Sequence, residues 1–379
     1  MTQNRIYLSY PEFTKDDIQA MNEVVDKLNS KDQDKNSSIE LFEKQLADFH
    51  DVSHVVSLSS GTAAIHLALL ALKIKAGDRV IVPTLTFAAT AFPLNYVGAI
   101  PIFIDVCKKT WTLDLELLQQ YLKNCKVSEL PKAIISVDLF GRTCDYDELS
   151  RIAEEFDIPI LIDAAESLGS KYKDKPTATQ GLISIISFNF NKIITTTGGG
   201  ALLTNDEGIA KITRKLGYQA RDDFHWYEHS NIGFNYRMSP ILAALGASQM
   251  VRIEILIEKR RSIRDLYSQL LNEISGIEIS ADSKWEFTNA WLSTMKLDND
   301  IFPDGRNVIR DNLEKKNIES RFIWKPLHLQ PVFASCQAIL SGASEEIFST
   351  SLCLPSSHTL KENEIIRICN IIKNTLKGG

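Results

Sequence analysis

Between residues 79 and 204 the chain repeats one arrangement, a short apolar run followed by a helix-like pattern and then another apolar run. The runs at 79–83, 101–106, 133–140, 159–163, 183–188 and 201–204 are rich in β-branched residues, and amphipathic patterns such as 147–156 separate them. Strands that are apolar along their whole length have both faces covered. The alternation therefore predicts an α/β fold, a mostly parallel central sheet with helices on both faces. Ligands of such sheets gather beyond the carboxyl ends of the strands, so polar residues placed there are the first candidates for chemistry.

Two such residues stand out. Asp163 ends the run 159–163, and Lys192 closes Ser187-Phe188-Asn189-Phe190-Asn191-Lys192, just past the run 183–188 and ahead of Thr195-Thr196-Thr197-Gly198-Gly199-Gly200. Most lysines are solvated surface charges, and a strand-end aspartate can be an ordinary polar group. A lysine flanked by a buried strand and a glycine cluster is a different case, as is a carboxylate at the end of an apolar strand, which needs a cationic partner or a shifted pKa. Together they match what pyridoxal 5'-phosphate requires: an amine to form a Schiff base with its aldehyde and a carboxylate to keep its ring nitrogen protonated.

Ser59-Ser60-Gly61-Thr62-Ala63-Ala64 follows the strand-like run 55–58 and opens the apolar helix pattern 65–72. A strand, a small-residue turn and a helix N-terminus form an anion cradle, although Ser60 or Thr62 can equally serve as a plain N-cap. Phe87, in Pro83-Thr84-Leu85-Thr86-Phe87, stands where an aromatic can stack on a pyridine ring, and the residues alone leave that role level with a core phenylalanine.

Composition narrows the remaining classes. The 379 residues are 44% hydrophobic and 24% charged, with a net charge of -6 and a pI near 5.7. No basic block with interleaved aromatics is present, so nucleic acid is not an expected partner. No apolar run is long enough to span a bilayer and the first residues carry no leader pattern, so no membrane partner is expected and the chain reads as cytoplasmic. The six cysteines are scattered without a C-x-x-C pair, which favours reduced thiols. His225 and His229 are four apart on a possible helix face, but no third ligand is evident and no metal site is expected. Neither G-x-x-x-x-G-K nor G-x-G-x-x-G occurs. The strand and helix rhythm loosens after the helical patterns 239–250 and 253–274, which places a large cofactor-binding domain at 1–250 and a smaller C-terminal α/β domain at 251–379.

These motifs resemble the DegT/DnrJ/EryC1/StrS sugar-nucleotide aminotransferases within the fold type I pyridoxal phosphate enzymes. The likeness runs from the Ser60 turn through Asp163-Ala164-Ala165-Glu166 and the Lys192 segment to Gly233-Phe234-Asn235-Tyr236-Arg237-Met238. It implies Lys192 as the Schiff-base lysine, Asp163 under the ring nitrogen, Glu166 near the ring hydroxyl and Phe87 stacked on the ring. Ser60, Gly61, Thr62, Ser187 and Asn189 would surround the cofactor. Asn235 and Arg237 would reach the neighbouring subunit's site, which implies at least a homodimer. Position 190 is Phe190 where related sequences often have glycine, and the sugar dehydratase branch is disfavoured because it carries histidine in place of the lysine. Trp324-Lys325-Pro326-Leu327-His328-Leu329-Gln330-Pro331 further resembles members that aminate C4 of UDP-linked 4-keto-6-deoxy-N-acetylhexosamines, as in bacillosamine synthesis, with L-glutamate as donor. Lys325 and His328 are the expected substrate neighbours. The alternatives are a GDP- or dTDP-linked keto-sugar and a regulator that binds the cofactor without turnover.

Overall fold

The computed structural model describes residues 4–30 and 36–377. Its large sheet has eight strands in the order His54–Leu58, Gly200–Thr204, Ile183–Ser187, Ile160–Asp163, Ala133–Val137, Arg79–Pro83, Ile100–Ile104 and Ala338–Ile339. Every neighbouring pair is parallel except those made by Gly200–Thr204, which runs antiparallel to both neighbours. The exception has a local cause. Parallel strands need a crossover, usually a helix, whereas the loop between Ser187 and Gly200 holds the lysine and no helix, so the chain turns straight back.

Both sheet faces are buried, as the apolar strands predict. Val80 and Val82 join one core cluster with Phe42, Leu67 and Leu202, while Ile81 between them joins a second cluster with Leu118, Tyr146 and Ile162. A period of two thus sends successive side chains into separate helix layers. The run 133–140 is not one strand. It pairs only as far as Val137, and Leu139–Gly141 forms a 3-10 turn in which Phe140 takes φ 56°. Hydrophobicity marks burial, and a buried turn looks the same as a strand by that measure.

A second, antiparallel sheet has the order Ile277–Ile279, Ser293–Leu297, Ser351–Leu354, Arg321–Phe322. Helices Ile253–Leu271, Gly305–Lys315 and Glu362–Lys377 contribute to its core, which includes Tyr267, Met295, Leu313, Leu352 and Ile368. The division at 250/251 is crossed in both directions. Ala338–Ile339 supplies the edge strand of the large sheet, and Ile6 bridges to Ile318. Asp105 reinforces the first crossing, since its carboxylate accepts the backbone N–H groups of Ser341, Gly342, Ala343 and Ser344 at 2.9–3.1 Å.

His225 and His229 lie in an irregular loop, so they do not share the helix face that their spacing suggested. Among the described residues no single helix is long and apolar enough to cross a membrane.

Candidate active site

Asp163 is the last residue of its strand, and Lys192 sits on the turn beyond Ile183–Ser187, its N–H donating to the Asn189 carbonyl at 3.0 Å. Both side chains reach one cavity of about 270 Å³. Its lining includes Ser60, Gly61, Thr62, Phe87, Glu166, Ser187 and Asn189, so the turn, the two strand ends and the lysine loop converge there.

Burial dominates the electrostatics. The Lys192 side chain is 13% exposed, with Nζ 3.6 Å from Glu166 Oε1 and 3.8 Å from the centre of the Trp291 ring. Desolvation lowers the Lys192 pKa from the ordinary lysine value, and the charges of Glu166 and Asp163 only partly restore it. Desolvation raises the pKa of Asp163, against the hydrogen bond from Thr90, the backbone bond from Ala165 and the charge of Lys192. Glu166 is likewise raised by burial, against the pull of Lys192 and the Phe140 N–H. The geometry behind these statements is specific: Thr90 Oγ1 donates to Asp163 Oδ2 at 2.7 Å, Ala165 N–H to Oδ1 at 3.1 Å, and Phe140 N–H to Glu166 Oε2 at 2.7 Å. The left-handed turn at Phe140 is what aims that last N–H at the carboxylate.

The anion end is built from helix Gly61–Ala71. Ser60 is its N-cap, and its hydroxyl accepts the Ala63 N–H at 3.0 Å. The N–H groups of Gly61 and Thr62 have no acceptor within the helix by virtue of their position, and the positive end of the helix dipole lies with them. A Cβ at Gly61 would sit 3.3 Å from Ser187 Cβ, and one at Gly200 would sit 2.4 Å from the Gly61 nitrogen. Only glycine at 200 lets the strand pass this close under the turn.

Pyridoxal 5'-phosphate fits this donor set. The helix N-terminus and the hydroxyls of Ser60, Thr62 and Ser187 suit a phosphate, Asp163 suits a ring N–H, and Lys192 suits the aldehyde. Asn191 Oδ1, on the cavity wall, is buried without a donor among the described residues, as a polar ligand would require. Phe87 lines the cavity and is 54% exposed, which removes the plain core reading.

Among the lining residues not singled out as site residues from the sequence are Thr90, Asn191, Trp291 and Trp324. Asn191 lies inside the lysine motif and Thr90 just past Phe87, so both could have been included by proximity. Both tryptophans come from the C-terminal part of the chain: Trp324 opens the segment 324–331, where Lys325 and His328 rather than Trp324 are the expected substrate neighbours, and Trp291 belongs to no motif. Aromatic contacts run from Phe87 to Trp324 at 5.5 Å, from Trp324 to Phe140 at 5.7 Å and from Phe140 to Trp291 at 6.3 Å, forming a continuous wall.

Asn235, Arg237, Lys325 and His328 do not line this cavity. Asn235 is exposed and bridges to Tyr218, while Arg237 bonds Asn36 and lies 4.7 Å from the Tyr218 ring. Lys325 is exposed, although its neighbour Trp324 points inward. Both ring nitrogens of His328 are engaged, Nδ1 with Thr84 Oγ1 at 2.7 Å and Nε2 with Glu345 Oε1 at 3.1 Å.

Comparison with known proteins agrees with this geometry. The profile of the DegT/DnrJ/EryC1/StrS aminotransferase family matches residues 14–373. The chain is 40% identical over 336 residues to EpsN of Bacillus subtilis (strain 168), a protein assigned as a pyridoxal phosphate-dependent aminotransferase, covering 87% of this chain and 86% of EpsN. It is 34% identical to the GDP-perosamine synthase of Escherichia coli O157:H7, over 89% of this chain and 90% of that one. The solved structure of Helicobacter pylori PseC, an aminotransferase involved in the biosynthesis of pseudoaminic acid, superimposes with a TM-score of 0.90 at 26% identity, covering 99% of this chain and 100% of that one. A type I α/β fold, a lysine and two carboxylates around one cavity and a match across nearly the whole length lead to one conclusion: the chain belongs to the DegT/DnrJ/EryC1/StrS family and is a pyridoxal phosphate-dependent sugar aminotransferase.

Proposed function

We propose that the enzyme moves an amino group from L-glutamate to the C4 keto group of a UDP-linked 4-keto-6-deoxy-N-acetylhexosamine. The observation that carries the chemistry is the buried Lys192 amine between Asp163, Glu166 and the Trp291 ring in one cavity. When bound, the cofactor supplies an electrophilic aldehyde and an electron-accepting ring. Lys192 is the amine that would hold it, and the same amine, when free, is placed to carry a proton to and from the amino donor. A lysine whose pKa is lowered by burial is suited to that exchange. Asp163 would keep the ring nitrogen protonated, and Thr90 and the Ala165 N–H hold its carboxylate in place. Ser60, Gly61, Thr62 and Ser187 would hold the phosphate, with Asn189 close by, and Phe87 is placed to stack on the ring.

The choice of a UDP-linked sugar rests on the likeness of residues 324–331 to C4-acting enzymes. A second reading, a GDP-linked keto-sugar, is favoured by the 34% identity to a GDP-perosamine synthase. Both place amination at the keto carbon of a nucleotide-linked sugar, in a cytoplasmic homodimer whose Asn235 and Arg237 serve the partner's phosphate site. The deciding experiment is a panel of UDP-, GDP- and dTDP-linked 4-keto-6-deoxy sugars with glutamate, read by mass spectrometry. Amination of the UDP-linked substrate alone is expected, and amination of the GDP-linked one alone would transfer the assignment to the second reading.

A further inference from the structure

Arg260, on helix Ile253–Leu271, is 1% exposed and has no carboxylate within ion-pair distance among the described residues. Buried charges are ordinarily paired, because taking a guanidinium out of water without an anion is unfavourable. Its hydrogen bonds go instead to neutral oxygens. Nη1 donates to the Trp291 carbonyl at 2.6 Å and to the Ser356 carbonyl at 3.0 Å, and Nη2 donates to Ser9 Oγ at 3.1 Å.

Each of two routes leads from there to the reacting lysine. Ser9 Oγ passes the link on to the Asn191 carbonyl at 2.7 Å, and Asn191 is the residue before Lys192. The Trp291 indole donates to that same carbonyl at 2.8 Å while its ring lies 3.8 Å from Lys192 Nζ. We propose that Arg260 is the positioning residue of this site: it fixes the Trp291 wall and, through Ser9, the Asn191 carbonyl, and so holds the Lys192 amine in one place with an unpaired positive charge behind it. The groups that face the amine are Glu166 and Asp163, which favour its charged form, and Arg260, which opposes it. Arg260 also bears on His358, whose Nε2 lies 3.3 Å from Glu12 Oε2. Burial brings Arg260 itself down to about 9, consistent with a cation held without an anion.

The inference rests on Lys192 being the amine that carries the cofactor, and borohydride reduction of the wild-type holoenzyme followed by peptide mapping tests that separately. The test of Arg260 uses the full-length, cofactor-free protein, labelled competitively with acetic anhydride across a pH series and read at the Lys192 peptide by mass spectrometry. The curve yields a midpoint, which reports the amine pKa, and a high-pH plateau, which reports how freely the amine reacts. Arg260→Gln should raise the midpoint by about half a unit or more, because a like charge has been removed, and should raise the plateau. Arg260→Lys should restore the midpoint but not the plateau, since it keeps the charge and loses the fork. Ser9→Ala should raise the plateau and leave the midpoint unchanged. A Gln curve that superimposes on wild type, with only thermal stability lowered, overturns the proposal and leaves Arg260 as packing. Should the Gln variant not fold, Ser9→Ala decides alone, and a wild-type plateau there overturns it.

Discussion

Lys192 Nζ and Glu166 Oε1 lie 3.6 Å apart, and burial acts on the two in opposite senses, lowering the amine and raising the carboxyl. Each is the other's main electrostatic support. Glu166→Gln removes the largest influence that raises the Lys192 pKa, so the amine should become neutral at lower pH than in the wild type. Only the neutral amine attacks an aldehyde. The rate at which cofactor-free enzyme takes up pyridoxal phosphate should therefore rise with pH, with its midpoint displaced downward in Glu166→Gln. Stopped-flow absorbance across pH measures this, and coincident midpoints would uncouple the pair.

Asp163→Asn should fold and retain cofactor while losing about 10³-fold in turnover, roughly 4 kcal/mol of barrier, because an amide cannot hold the ring nitrogen protonated. Thr90 and the Ala165 N–H should still anchor the side chain, which keeps the change local. Steady-state kinetics at matched cofactor occupancy test it, and near wild-type turnover would remove Asp163 from this role.

Lys192→Ala should bind the cofactor through the helix N-terminus, Phe87 and Asp163 but never covalently. Borohydride should leave no label on the peptide, and turnover should be absent. Residual activity comparable to wild type would mean that some other group moves the proton.

If Asn235 serves the partner's site, mixing inactive Lys192→Ala and Asn235→Ala subunits should partly restore activity, since one hybrid site would be intact. Full activity of Asn235→Ala alone, or of a monomer at high dilution, would contradict the shared arrangement.

His50, the last residue of helix Ser37–His50, is buried with neither ring nitrogen partnered among the described residues, and burial pushes its pKa from 6.5 down to about 3. The unfolded chain therefore binds an extra proton between those values. Its contribution to stability is fully present above about pH 6.5 and declines as pH falls toward 3, by up to about 1.4 kcal/mol per pH unit. His50→Phe should flatten that acid limb, measured as urea midpoints between pH 7 and 4.5, and an unchanged slope would place the acid sensitivity elsewhere.

Asp163, Lys192 and the Ser60 turn could be read from the sequence because each sits at the end of an apolar run, where chain direction alone sends a side chain to the cavity. Trp291 could not, since its ring arrives by packing of the C-terminal part of the chain against the lysine loop, a contact across 100 residues. Phe140 was hidden for another reason, because an apolar run does not announce the point where a strand becomes a left-handed turn. His328 and Lys325 show the limit of motif reading. The segment is in the right region, yet Trp324 is the member that faces inward, and side-chain direction depends on a register that no short motif encodes.

Two of the chain's five tryptophans, Trp291 and Trp324, line the cavity. Indole emission overlaps the absorption of a pyridoxal chromophore, and at near-contact separation the excitation is handed over almost completely. The protein thus carries its own optical gauge of occupancy: the ultraviolet glow dims as the cavity fills and brightens as it empties, with no dye attached.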